Sequence, residues 1–128
     1  MPEKSVAQKL FIKTGMCLLI VNAPRGYEET LGELPKGVVW LKAGERDADH
    51  VQLFVANRAE LETQLPKVKS VLKPRGMLWV MYLKGTAKQK TDINRDTLHA
   101  YANTLGLRGV SLVAVDEDWS AMRFKVES

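Results

Sequence analysis

Residues 16–27, MCLLIVNAPRGY, decide the fold. Met16–Val21 is an unbroken apolar run of strand length, which suits a strand covered on both faces. It leads straight into a tight turn, Asn22-Ala23-Pro24-Arg25-Gly26-Tyr27. The following segment, Tyr27–Leu34, has room for about two helical turns. A strand, a tight loop and a helix in that order put the turn where an α/β nucleotide-binding protein carries its glycine-rich phosphate loop. This turn has one glycine and a proline. The frame is there without the glycines that let backbone approach a cofactor, and a frame says little about activity.

Reading outward, Ser5 caps a short helix reaching Lys9–Phe11, and Thr14-Gly15 ends it. Beyond Pro35-Lys36-Gly37, Val38–Leu41 (VVWL) is a second short strand and Val51–Val55 (VQLFV) a third. Asn57 caps the next helix, with Glu60 at the reciprocal capping-box position. Leu61, Leu65, Val68, Val71 and Leu72 give that helix its apolar face. Pro66 predicts a kink or a break, and Lys73-Pro74-Arg75-Gly76 a stop. Met77–Leu83 (MLWVMYL) is the most apolar strand. Thr91 or Asp92 caps a helix bearing Leu98, Tyr101, Ala102 and Leu105, which Gly106 ends. Val110–Val115 and Trp119–Val126 are joined too closely for a parallel crossover, so they form an antiparallel pair.

Strand–helix alternation with a terminal hairpin predicts a three-layer, Rossmann-like α/β sandwich over residues 1–128, a single domain. Its sheet has about six strands, mostly parallel, with one antiparallel strand at or next to the edge. One connection is awkward. Only about eight residues separate the second and third strands, and a parallel crossover takes a dozen or more. Either that link is extended across the sheet, or VVWL is antiparallel or not a strand.

Composition narrows the function classes. Lys plus Arg number 19 against 15 acidic residues, a net charge of +4. That surplus suits an anionic ligand, but no aromatic RNA motif, zinc spacing or helix-turn-helix pattern accompanies it, which disfavours nucleic acid. Cys17, the only cysteine, sits in an apolar run and reads as a small hydrophobe. No apolar run approaches the ~20 residues of a membrane helix, and MPEKSVAQKL lacks the shape of a signal peptide, so a cytoplasmic protein with no membrane partner is expected.

Several segments carry a resemblance. LKPRG followed by MLWVMYL resembles the LKPGG-plus-strand segment of class I S-adenosylmethionine-dependent methyltransferases. GVSLVAV with WSAMRFKV resembles their closing hairpin, and FIKTGMCLLIV their first strand. More closely, KLFIKTGM, VNAPRGYEETLGELP, LFVANRAELE, TDINRDTLHAYANTLGL and AVDEDWSAMRFKV resemble a family of short bacterial proteins of unknown function, viewed as truncated, degenerate relatives of those enzymes. The resemblance implies a methyltransferase-like fold and no catalytic residue. The departures imply loss of the cofactor. Ala23, Pro24 and Arg25 replace glycines. The second strand ends Trp40-Leu41-Lys42, where the enzymes hold ribose hydroxyls with a carboxylate, and Glu45 is the nearest acid. The span to the third strand is also too short for the elements that build the adenosine side.

Loops at the carboxyl ends of parallel strands converge on one crevice. That reasoning gathers Asn22, Arg25, Tyr27, Asn57, Arg58, Asn94, Arg95 and Trp119 as candidate ligand-binding residues. Arg25, Arg58 and Arg95, with the helix start at Asp92–Asn94, suit an anionic small molecule. Each has a plainer reading: Asn22 closes a turn, Asn57 only caps, and Trp119 covers the sheet. Lys84–Lys90 reads first as a solvated connector and Asp116-Glu117-Asp118 as a charged turn. His50 and His99 lack ligand spacing, so no metal is expected, and no nucleophile–base arrangement is present. The preferred reading is a noncatalytic methyltransferase-like domain that binds a partner or an anionic small molecule and needs no cofactor. The alternatives are a group-transfer enzyme holding an adenosine-type cofactor in a nonstandard way, and a homo-oligomer joined through a sheet edge.

Overall fold

The computed structural model describes residues 5–42, 44–85 and 91–126. Ser5 starts helix α1 (Val6–Lys9) with a full capping box: its hydroxyl accepts from Gln8 N–H, and the Gln8 side chain accepts from Ser5 N–H. Strand β1 (Cys17–Val21), helix α2 (Tyr27–Leu31) and strand β2 (Val39–Trp40) follow. Next come β3 (Ala48–Val55), α3 (Arg58–Val71), β4 (Leu72–Leu83), α4 (Arg95–Thr104), β5 (Leu107–Ala114) and β6 (Trp119–Val126). They build one six-stranded sheet in the order β2-β1-β3-β4-β6-β5. The pairs β1–β2, β1–β3 and β3–β4 are parallel, and β6 is antiparallel to both of its neighbours. The expected α/β sandwich is therefore present, with its antiparallel strand next to the edge.

Each face of the sheet buries a separate apolar cluster. Leu19, Val51, Leu53, Val80, Met122 and Phe124 pack under α3 and α4 through Leu61, Leu65, Leu98 and Ala102. Leu18, Phe54, Trp79, Met81 and Ala121 pack under α1 and α2 through Val6, Leu10, Tyr27 and Leu31. Trp79 is wholly buried, and its indole N–H donates to the Leu10 carbonyl at 3.0 Å, so α1 is tied to the centre of the sheet.

The awkward second strand is parallel, and its link runs directly across β1. This works because β2 is only two residues long and pairs with the entry half of β1, Cys17 with Val39 and Leu18 with Trp40. Leu18 also pairs with His50 on the other side. The chain thus leaves β2 level with the residue it must pass, and needs to drop back by only about 7 Å, two residues of strand, to begin β3.

Several boundaries move. Lys73-Pro74-Arg75-Gly76 belongs to β4 instead of stopping the helix in a loop, because Leu72 pairs with Ala48 ahead of a register shift. Gly76 makes that bulge fit, since a Cβ there would lie 2.6 Å from Leu72 Cδ1 and 3.0 Å from the Ala48 carbonyl oxygen. Helix α4 begins later than Thr91 or Asp92, because Asn94 and Thr97 form a reciprocal capping box. Helix α3 runs unbroken through Pro66. The carbonyl that Pro66 leaves without its intrahelical donor belongs to Glu62, and the Tyr101 hydroxyl donates to it at 3.3 Å. At the entry end of the sheet, Asp49 accepts from Cys17 N–H at 2.8 Å and pairs with Lys73 at 3.0 Å.

Candidate ligand site at the sheet tip

The chain leaves β1 towards β2 on one side and leaves β3 towards β4 on the other. The gap between the tips of β1 and β3 is therefore the topological switch point, where open α/β sheets receive ligands. Asn22 spans it. With φ at 61°, its side-chain amide donates to the Phe54 carbonyl and to Glu60 Oε2, both at 3.0 Å. Glu60 Oε1 accepts from Ala56 N–H at 2.6 Å. The expected capping box is consequently half formed: Asn57 accepts from Glu60 N–H at 2.9 Å, while the Glu60 carboxylate turns away to join Ala56 and Asn22.

Tyr27 points inward. Its ring meets Phe54 edge-on at 4.6 Å, and its hydroxyl donates to Gln52 Oε1 at 2.5 Å. The Gln52 amide then donates to His50 Nε2 at 3.0 Å, both residues being wholly buried. Because Nε2 accepts, the proton of the neutral imidazole sits on Nδ1, which has no partner among the described residues. Burial, with a smaller push from Arg123, holds His50 down at about 3, so the ring stays neutral. Burial, and then the Asp116 charge, raises the Tyr27 phenol well above its ordinary range.

The eight candidate residues do not gather in one place. Arg25 lies with Tyr27, Pro24, Ile20, Trp40 and two glutamates, Glu28 and Glu29, around a recess of about 450 Å³. Asn94 and Arg95 line a larger recess of about 710 Å³ with Tyr82, Lys84, Thr91, Asp92, Asp96 and Ser120. Asn22 and Asn57 are engaged in the clasp and the cap. Arg58 joins the second recess only through its backbone, whose N–H donates to Asp92 at 2.7 Å. Trp119 packs edge-on against Phe54 at 5.0 Å. The three arginines do not converge on one recess, because Arg25 stands on the far side of the Asn22 clasp. Lys88 and Lys90 lie outside the described residues.

Sequence reasoning placed Glu60 and Asp92 only at the starts of their own helices and passed over Gln52. A signal existed for Gln52: a glutamine in a strand covered on both faces needs a polar partner, and His50 stands two residues away on the same face. In the larger recess, burial raises the Tyr82 phenol, opposed by the Arg95 charge and a hydrogen bond with Ser120. Among the described residues no cluster could hold a metal ion, and no helix is long and apolar enough to cross a membrane.

This sheet order with its flanking helices is a methyltransferase-like Rossmann fold. A SAM-dependent methyltransferase from Aquifex aeolicus superposes with a TM-score of 0.64 at 16% identity, over 94% of this chain and 87% of its own. A TehB-like SAM-dependent methyltransferase from Corynebacterium glutamicum gives 0.64 at 13%, over 98% and 89%. The DhpI–SAH complex gives 0.66 at 13%, over 95% and 83%. No family model matches the sequence, and no curated protein matches it significantly.

Proposed function

We propose that this chain is a noncatalytic methyltransferase-like module that binds an anionic small molecule at the start of α4. The observation that carries the reading is the Asn22 clasp. An asparagine amide shared between Phe54 and Glu60 occupies the switch point that a cofactor would enter. The neighbouring features agree with it. Pro24 has no N–H to offer, and Glu45, the first acid after β2 along the chain, accepts from Lys42 N–H at 2.7 Å.

The larger recess favours an anion for separate reasons. Lys84 and Arg95 supply positive charge, and Tyr82 and Ser120 supply hydroxyls. Asn94 satisfies Thr97 N–H, leaving the first-turn N–H groups of Arg95 and Asp96 without an intrahelical acceptor. Of the two acids, Asp92 is engaged by Arg58 N–H, and Asp96 lies 3.9 Å from the Arg95 guanidinium.

Calorimetric titration with SAM, SAH and inorganic pyrophosphate tests the reading. Pyrophosphate should bind, and Arg95→Ala should weaken it roughly 10- to 100-fold, the loss of one charge-assisted hydrogen bond. SAM and SAH should give no heat. Micromolar SAM binding that Asn22→Ala or Arg25→Ala abolishes would overturn the proposal in favour of a group-transfer enzyme with a nonstandard cofactor site.

A further inference from the structure

One edge of the sheet is long and, among the described residues, almost unprotected. Strand β5, LRGVSLVA, has eight residues, no proline and a single charged residue, Arg108. Edge strands of monomers are usually short, charged or covered, because their outer N–H and C=O groups template pairing with another strand. The opposite edge obeys that rule, since β2 has two residues. Among the described residues, β5 is blunted only by Arg108 and by the register shift between Gly109 and Ser111, which leaves Ser111–Ala114 regular. Val110 and Leu112 are exposed there, Leu112 at 48%. A slot of about 270 Å³ lined by His99, Gly109 and Met122 lies beside Leu112.

Charge is distributed unevenly along the same edge. Arg108 and its cross-strand partner Lys125 are exposed at one end, and Asp116, Glu117 and Asp118 are exposed at the other. An apolar strand with a basic end and an acidic end is complementary to itself only when reversed. We infer that β5 pairs antiparallel with β5 of a second copy of this chain, about a two-fold axis at Leu112. In that register Leu112 lies beside Leu112 of the second copy, and Ser111 beside its Val113. Arg108 comes to the end of the second copy's β5, where the acidic turn Asp116-Glu117-Asp118 begins, and the match occurs twice, as an isologous interface requires. Parallel pairing would set like charges together at both ends. The two sheets join into one. Leu112 also lines the recess at the start of α4, but the pairing rests on the strand edge and its charges, not on a ligand bound there.

Sedimentation of the full chain from micromolar to millimolar concentration tests it. The mass should double with concentration and go no higher. Leu112→Lys alters an exposed side chain, so the thermal midpoint should hold while the chain stays monomeric. Arg108→Glu should weaken the dimer by at least about tenfold. Adding Glu117→Lys to Arg108→Glu should recover it. Glu117 is the better choice because Asp116 accepts from Asp118 and Trp119 N–H within the turn. Trp40→Lys, at the other edge, should change nothing. A monomer at every concentration, a dimer indifferent to Leu112→Lys, growth beyond two copies, or a double variant no tighter than Arg108→Glu would each refute the pairing.

Discussion

Replacing Tyr27 with phenylalanine removes one oxygen and leaves the shape of the core intact. The ring keeps its edge contact with Phe54 at 4.6 Å, so no cavity opens. What is lost is the donor to Gln52 Oε1, in a place no water reaches, since Gln52 is wholly buried. Turning the Gln52 amide over does not help. Its oxygen would then meet His50 Nε2, the imidazole proton would have to move to that nitrogen, and the NH2 group would be orphaned instead. Either arrangement strands one buried polar atom, at a cost of about 1–3 kcal/mol. For a domain of this size each kcal/mol shifts the thermal midpoint by roughly 3–6 °C, so a fall of about 3–18 °C is expected. Urea titration and scanning calorimetry of the two proteins measure it. The phenol adds a second signature. Burial keeps it protonated above its ordinary value of 10.0, so it adds to the stability wild type loses as pH rises past that value, and the phenylalanine variant, left with the share of Tyr82, should lose less. A variant within about 0.5 kcal/mol of wild type, the range of neutral surface changes, would refute the inward tyrosine and return Tyr27 to the ligand-facing role expected from sequence.

Three further outcomes follow from the same geometry. Asp49 is held below its ordinary value of 3.8 chiefly by Cys17 N–H, with help from Lys73, so its contribution is present above that pH and lost as pH falls through and below it. Asp49→Ala should cost about 1.5–3 kcal/mol at neutral pH and much less near pH 2, read from urea midpoints across the range. His50, depressed from 6.5 to about 3, stabilises the fold above pH 6.5 and loses that effect as pH falls from 6.5 towards 3. Its ring resonances should accordingly show no titration between pH 5 and 8 by NMR, and a midpoint near 6.5 would contradict its burial. Gly76→Ala should destabilise by about 1–3 kcal/mol in thermal melts, because its Cβ meets a backbone oxygen that cannot yield; an unchanged midpoint would show that the bulge relaxes.

Patterns carried by many residues at once were legible in the sequence. The apolar runs gave four of the strands near their true positions, and the short link before Trp119 gave the antiparallel pair. Ser5 and Asn57 were readable as caps because a cap is a local arrangement. What escaped were choices settled by distant partners. LKPRG looks like a helix stop until Ala48 is seen pairing with Leu72. Asp92 looks like a cap for its own helix, yet it accepts the first N–H of α3. The sequence points to the end of the sheet where the parallel strands finish, but the inward turn of Tyr27 and the Asn22–Glu60 contact depend on residues 25 and 38 positions away.

The missing N–H of Pro66 reaches further than its own helix. By accepting from Tyr101, the Glu62 carbonyl becomes the middle of three fastenings between α3 and the segment that follows β4. Asp92 holds the front of α3 through Arg58, and Lys69 holds the rear through the Leu105 carbonyl. Two helices pinned at front, waist and rear cannot slide past one another, so they should drift across the sheet as a single plate. The mouth at Arg95 is cut into the rim of that plate. Whatever enters there meets strand residues on one side and, on the other, a lip stiffened by the fastenings to α3.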